Sequence, residues 1–304
     1  MDYVLRTEHI GKRYRTAKVL QDLNMNIPKG AIYGFVGRNG AGKTTLIRQI
    51  CGLQRPTEGH YELFGVRNDS SAILSCRKRM AAIVESPALY KSMTAKENLK
   101  QQYLNLGLPN YEGIDELLEI VGLQDAGNKK VRNFSLGMRQ RLAIAVTLCG
   151  NPDFIILDEP INGLDPQGII EIRELILKLN RERGITILIS SHILEELSKI
   201  ATHYGFIDKG RIVREMTQEE LYAECRKSLR IKITNAEVLA RVLDERHVEF
   251  KMIDEHTADI YGTITISELS ISLANAGCEV ISMEEHDESL EAFYLSLLGG
   301  KANV

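Results

Sequence analysis

From Gly37 to Thr44 the chain runs Gly, four free positions, then Gly-Lys-Thr, with Asn39, Gly40, Ala41 and Gly42 inside the motif and Thr45 just after it. Glycines let a backbone turn so tightly that successive N–H groups point at one spot, and a helix starting there adds the positive end of its dipole. Phosphate oxygens suit such a nest. The flanks agree, since the apolar run Ala31 to Val36 reads as a strand and Leu46 to Cys51 as a helix. In that context the Lys43 ammonium would reach the β- and γ-phosphates and the Thr44 hydroxyl would be offered to Mg2+. A nucleoside triphosphate is the ligand to explain.

Carboxylates and polar groups that could complete phosphoryl chemistry lie far from this motif in sequence. The continuously apolar Phe154-Ile155-Ile156-Leu157 ends in Asp158-Glu159, and after a phosphate loop an apolar strand delivering Asp is how Mg2+ is held. The β-branched run Thr186 to Ser190 ends in Ser191-His192, at the kind of strand end where ligands gather in open α/β sheets. Ala81 to Val84 runs directly into Glu85. Ser135 precedes Leu142, Ala145, Val146 and Cys149 at helical spacing, so a plain helix cap and a phosphate donor are both open. Asp165 stands before Pro166 in the same capping position. Tyr14, between Lys12-Arg13 and Arg15, can stack on an adenine base or simply pack.

These groups need a scaffold, and the periodicities supply an α/β one. Leu23, Met25 and Ile27 alternate with polar residues, the period of a strand with one wet face, which predicts a half-exposed antiparallel sheet. A strand is expected at 60–64, then a basic helix over 71–80. Thr94-Ala95-Lys96-Glu97 has capping-box spacing for a helix to about Leu106, and Ile114, Leu117, Leu118 and Val121 mark another, so a helical insert interrupts the α/β order. Pro166 begins a helix to about Asn180, and a hairpin turns at Asp208-Lys209-Gly210 before a mixed helix to about Lys227. From 229 onward strands and helices spell βαββαβ, which resembles a ferredoxin-like domain, and a last helix spans 289–298.

The 304 residues are 44% hydrophobic and 26% charged, ordinary for a soluble globular protein of two domains. A formal charge of −3 carries no basic footprint, so nucleic acid is not an expected partner. Five scattered cysteines without a Cys-x-x-Cys pair indicate reduced thiols and a cytoplasmic setting. No charged-then-apolar leader opens the chain and no apolar run approaches the roughly 18 to 20 residues of a membrane span, so work at a membrane would require another chain to cross it. Asn128-Lys129-Lys130-Val131 lacks the Asp a guanine-reading Asn-Lys-x-Asp motif needs.

Taken in order, residues 3 to about 220 resemble the ATP-binding subunit of an ABC transporter, with six separated motifs in the family's sequence. Tyr14 matches the adenine-stacking tyrosine, Gly37 to Thr45 the Walker A loop, and Ser135-Leu136-Gly137-Met138 the signature. Ile155 to Glu159 matches the Walker B strand with its catalytic carboxylate, Asn162 to Asp165 the D-loop, and His192 the switch histidine. The resemblance implies a P-loop ATPase fold over 1–222, with an antiparallel β subdomain and a helical subdomain at about 86–150, and an accessory α+β domain over 228–304. It further implies ATP and Mg2+ as ligands, with Thr44, Asp158 and Glu85 toward the metal and Glu159, His192, Lys43 and Glu85 in catalysis. Ser135, Gly137 and Asp165 would meet nucleotide across a head-to-tail homodimer. A separate integral membrane permease would hold the dimer on the inner face of the membrane.

Two departures narrow the placement. The usual Leu-Ser-Gly-Gly-Gln is replaced at Phe134, Leu136 and Met138 but keeps Ser135 and Gly137, and Glu85 stands where the family carries glutamine. With the ending Asp287 to Phe293, this is similar to the bacitracin-export and lantibiotic-immunity branch. A soluble ATPase switch, or a transporter for another substrate, is the alternative.

Overall fold

The computed structural model describes residues 2–225, 228–262, 264–286 and 290–298. In chain order its elements are β1 Tyr3–Tyr14, β2 Ala17–Pro28, β3 Ile32–Gly37, α1 Lys43–Ile50, β4 Glu58–Leu63, β5 Val66–Arg67, α2 Ile73–Arg77 and β6 Met80–Ile83. There follow α3 Ala95–Leu106, α4 Ile114–Ile120, α5 Leu136–Leu148, β7 Phe154–Asp158, α6 Pro166–Arg183, β8 Thr186–Ser191, α7 Leu194–Ser198, β9 His203–Asp208 and β10 Arg211–Thr217. The last part holds α8 Gln218–Glu224, β11 Ser228–Ile233, α9 Ala236–Glu245, β12 Glu249–Met252, β13 Thr257–Tyr261, α10 Ile266–Asn275, β14 Val280–His286 and α11 Leu290–Leu297. Two compact units result, Met1–Gln218 and Glu219–Val304.

The first unit is built on a six-stranded sheet of order β10-β9-β3-β8-β7-β6, parallel throughout except for the β9–β10 hairpin. Every residue of β3, β7 and β8 is buried, which is why these strands read as unbroken apolar runs rather than alternating ones. Because β3, β7 and β8 are parallel, the phosphate-loop motif, Asp158-Glu159 and Ser190-Ser191-His192 all emerge from the same edge of the sheet. Beside it lies an antiparallel sheet of order β2-β1-β4-β5. Its alternating Leu23, Met25 and Ile27 are fully buried and share one apolar cluster with Leu46, Ile47 and Ile50 of α1. The helix that carries Lys43 is thus anchored along one side by both sheets.

Local differences from the sequence expectations have physical causes. The helix expected over 71–80 contracts to α2, because Met80 leaves it to pair in parallel register with Phe154. The long strand β1 escaped the pattern reading, since its pairing with β2 shifts register between Thr7 and Ile10 and His9 takes a left-handed φ of 51°. Those irregularities scramble a period of two. The strand expected at 60–64 begins earlier, at Glu58. In α3 the capping box forms as its spacing requires, with Thr94 Oγ1 accepting from Glu97 N at 3.2 Å and Thr94 N donating to Glu97 Oε2 at 2.6 Å.

In the second unit four strands form an antiparallel sheet of order β12-β13-β11-β14, the ferredoxin-like arrangement of a βαββαβ chain. Ile231, Ile233, Leu239, Leu243, Ala258, Ile260, Leu269 and Leu273 are its buried core. On the same sheet Arg230 meets the buried Asp259 through two bonds of 2.7 Å. Lys227, Ser289 and Gly299-Gly300, at the ends of expected helices, lie outside the described residues, as do Asp287 and Glu288 of the branch-specific ending.

Candidate active site

The loop between β3 and α1 turns twice through the left-handed region, at Gly40 (φ 80°) and Gly42 (φ 113°). At Gly42 a Cβ would stand 2.7 Å from Leu20 Cδ2 and 3.2 Å from the Val19 carbonyl, so both the conformation and the close approach of β2 require glycine there. Gly37 and Ala41 are buried beneath the loop, and a Cβ on Gly37 would meet the Ile207 carbonyl at 2.8 Å. A cavity of about 250 Å³ opens above it, lined by Val19, Arg38, Asn39, Gly40, Gly42, Lys43, Thr44, Thr45 and Glu159.

Lys43 is only 6% exposed. Its Nζ donates to the Gly37 carbonyl at 2.6 Å and lies 3.4 Å from that of Arg38 and 3.2 Å from Glu159 Oε1. A buried ammonium needs such oxygen neighbours, and phosphate oxygens would serve it in the same way. The contact with Glu159 is an ion pair without hydrogen-bond geometry, and Glu159 Oε1 is a buried oxygen left with no hydrogen-bond partner. An orphaned acceptor on the cavity wall fits a site completed by a ligand and its attacking water.

Register carries the remaining groups in. Asp158 pairs with Ser190 across β7 and β8, and the Ser190 hydroxyl donates to Asp158 Oδ1. Asp158 Oδ2 accepts from Thr44 Oγ1 at 3.0 Å. A hydroxyl and a carboxylate meeting at the rim are hard oxygen donors of the kind Mg2+ takes, with its other positions filled by phosphate and water. Glu159 takes a left-handed φ of 51°, held by donation from its backbone N–H to Ser190 Oγ at 3.0 Å and to the Ser190 carbonyl at 3.2 Å. Such a residue persists when its surroundings over-determine it. His192 Nδ1 is 2.9 Å from Glu159 Oε2. A carboxylate only accepts, so Nδ1 carries the hydrogen and Nε2 is left for another partner.

Other expected site residues stand elsewhere. Ser135 and Gly137 do not line this cavity. Ser135 Oγ accepts from Met138 N at 3.1 Å as the cap of α5. Gly137 faces the Asn162–Asp165 turn, where a Cβ would be 3.9 Å from Leu164 Cδ2, and Asp165 caps α6 by accepting from Gly168 N at 3.1 Å. Tyr14 is 41% exposed at the end of β1, its hydroxyl bonded to Gln54 Oε1 and Lys12 Nζ lying 5.2 Å from its ring centre. Glu85, expected among the metal ligands, is paired with Arg48 Nη2 at 2.6 Å. The reason is helical spacing, since Arg48 lies one turn beyond Thr44 on the same side of α1 and offers a full charge to an exposed carboxylate.

Sequence reasoning missed Ser190, Val19 and Arg38 as members of the site. Ser190 could have been found as a polar residue ending a buried β-branched strand, two places before His192. Val19 had no such signal, because only tertiary packing brings β2 over the loop.

The region 20–162 matches the family model described as ABC transporter. The bacitracin transport ATP-binding protein BcrA of Bacillus licheniformis is 40% identical over 306 residues, covering 99% of each chain. The lantibiotic transport ATP-binding protein SrtF of Streptococcus pyogenes is 43% identical over 70% of this chain and 90% of its own. Among solved structures, a dimeric ATP-binding cassette in a post-hydrolysis state with ADP and Pi is 26% identical, with a TM-score of 0.63 over 70% of this chain and 98% of that one.

Fold and site together define a P-loop ATPase. Within that class the chain belongs to the ATP-binding proteins of ABC transporters. No helix among the described residues is long and apolar enough to cross a membrane.

Proposed function

We propose that this ATPase energises export of a peptide antibiotic of the bacitracin or lantibiotic type through a separate membrane permease, working as a dimer on the inner face of the membrane. The observation that carries this reading is the 40% identity with a bacitracin transport protein over 99% of both chains, because it includes the second unit and not the ATPase alone. In this reading 1–222 is the nucleotide-binding domain and 228–304 an accessory domain specific to the branch.

Within one chain Lys43 and the loop amides hold the phosphates, and Tyr14 stacks on the base. Thr44 and Asp158 would hold Mg2+, which when bound offsets phosphate charge. Ser190 fixes both carboxylates: Asp158 through its oxygen and Glu159 through its backbone N–H. Glu159 takes the proton of the attacking water, with His192 orienting its carboxylate. Ser135 and Gly137 lie outside this cavity, so they serve the triphosphate held by a second copy, in a head-to-tail pair whose Asp165 turns lie at the seam. Glu85 is held by Arg48 in this structure, and its approach to the metal would require that ion pair to open.

Removing the gene from its host tests the reading. The expected result is a several-fold fall in the inhibitory concentration of bacitracin or of a lantibiotic, restored by the intact gene and not by Glu159→Gln. Unchanged sensitivity to both classes would assign the ATPase to another substrate.

A further inference from the structure

A second cavity lies outside the ATP site. It is about 610 Å³, enclosed by Gly52 and Gln54–Pro56 after α1, by β4, by the β5–α2 connection and by α2. That volume falls in the range of small-molecule pockets.

Its wall carries two arginines and two side-chain amides beside the hydroxyls of Tyr61, Ser70 and Ser71. The Arg77 guanidinium lies under Gly52, where a Cβ would be 2.5 Å from Cζ, and that absent side chain is the room it occupies. Arg77 Nη2 donates to Tyr61 Oη at 2.6 Å, and Arg77 Nε is buried without a hydrogen-bond partner. Arg55 is exposed on the wall, and its side chain enters no ion pair among the described residues. Asn68 accepts through Oδ1 from Tyr61 N, leaving its amide N–H groups to donate, and Gln54 likewise accepts from Tyr14 through Oε1. Asp69 is the one carboxylate on the wall, and Arg67 answers its charge through bonds of 3.0 and 3.3 Å. Two arginines and two amides thus line a space whose one carboxylate, Asp69, is already paired, and an oxyanion is what such a donor set binds. Ile73, Leu74 and Pro56 add an apolar side.

We propose that this cavity is a second anion site, taking a small phosphate-bearing molecule and linked to the ATP site. The link is physical: Gln54 reaches the hydroxyl of Tyr14, and Gly52 to Pro56 continue directly from α1, whose first residue is Lys43. A ligand that moves Gln54 or the end of α1 changes nucleotide binding, and nucleotide changes its affinity by the same factor.

Inorganic pyrophosphate titrated calorimetrically into the nucleotide-free full chain tests this. Two classes of site per chain are expected, one removed by Lys43→Ala and the other weakened about 10-fold or more by Arg55→Gln with Arg77→Gln. Because Arg77 also braces Tyr61 and its loss can impair folding, Arg55→Glu alone, on an exposed side chain, is the second variant and should weaken the same class several-fold. AMP in place of pyrophosphate tells a nucleotide from a bare phosphate ligand by which one binds the Lys43→Ala protein more tightly. Pyrophosphate should also alter the ATPase kcat, not only its KM, and that effect should vanish in the arginine variants. A single class abolished by Lys43→Ala, or a second class untouched by both arginine changes, overturns the proposal. The Lys43 class alone depends on the proposed ATP chemistry, so failure of one reading leaves the other measurable.

Discussion

The edge of the parallel sheet and the start of α5 both hold residues the proposed ATPase mechanism uses, yet they differ in how completely they are wired. At the sheet edge Lys43, Thr44, Asp158, Glu159, Ser190 and His192 form one connected set of hydrogen bonds and ion pairs. At the other place Ser135, Gly137 and Asp165 are joined only to one another's helices and turn, with the Ser135 oxygen satisfied by its own α5. The first region is pre-organised for phosphate, and positioning of that kind is most of what phosphoryl transfer asks of a protein. The second caps its own helix, and in the proposed reading it offers the start of α5 to a triphosphate held by another copy. In that reading one chain carries two halves of an active centre that do not meet, and a symmetric pair would unite them twice.

The sharpest way to break this contrast is to spoil one half per chain. Lys43→Ala and Ser135→Arg should each abolish ATPase activity, while an equal mixture should recover roughly a quarter, because half the dimers are mixed and each of those keeps one intact site of two. No recovery in a mixture that demonstrably forms mixed dimers would place both halves in one chain's site. Within the wired half, Glu159→Gln keeps the shape of the side chain but not its proton affinity. Turnover should fall on the order of 100-fold or more with ATP binding retained by equilibrium titration.

A smaller effect is expected one step back from the chemistry. Ser190→Ala removes the hydroxyl that ties Asp158 and the Glu159 backbone together, and activity should fall about 10-fold with a raised Mg2+ requirement, as loss of a supporting partner does. Equal loss at all Mg2+ concentrations would mean that Ser190 serves Glu159 alone.

The smallest effect concerns the helical insert that carries Ser135. Thr94→Ala should cost about 1 kcal/mol, seen as a lower urea midpoint with ATPase per folded molecule unchanged. The same cap gives a pH dependence. The Glu97 carboxyl is held down to about 2 from 4.5, chiefly by the Thr94 backbone N–H and then by Lys130. Its stabilisation is complete above about pH 4.5 and is lost as the pH falls from there toward 2. Glu97→Gln should flatten that part of the stability profile.

Much of this molecule was legible before any coordinates. The phosphate loop, the capping box at Thr94, the caps at Ser135 and Asp165 and the apolar strand ending in Asp158 are local statements, written in residues a few positions apart, and short-range sterics and hydrogen bonding enforce them wherever the chain goes. What tertiary structure alone decided was which distant residues share a space. Parallel register set Ser190 against Asp158, packing laid Val19 over the loop, and the spacing along α1 set Arg48 against Glu85. Contacts between strands over 30 residues apart follow from the register of a whole sheet, and no local pattern encodes a register that the burial of every strand sets jointly.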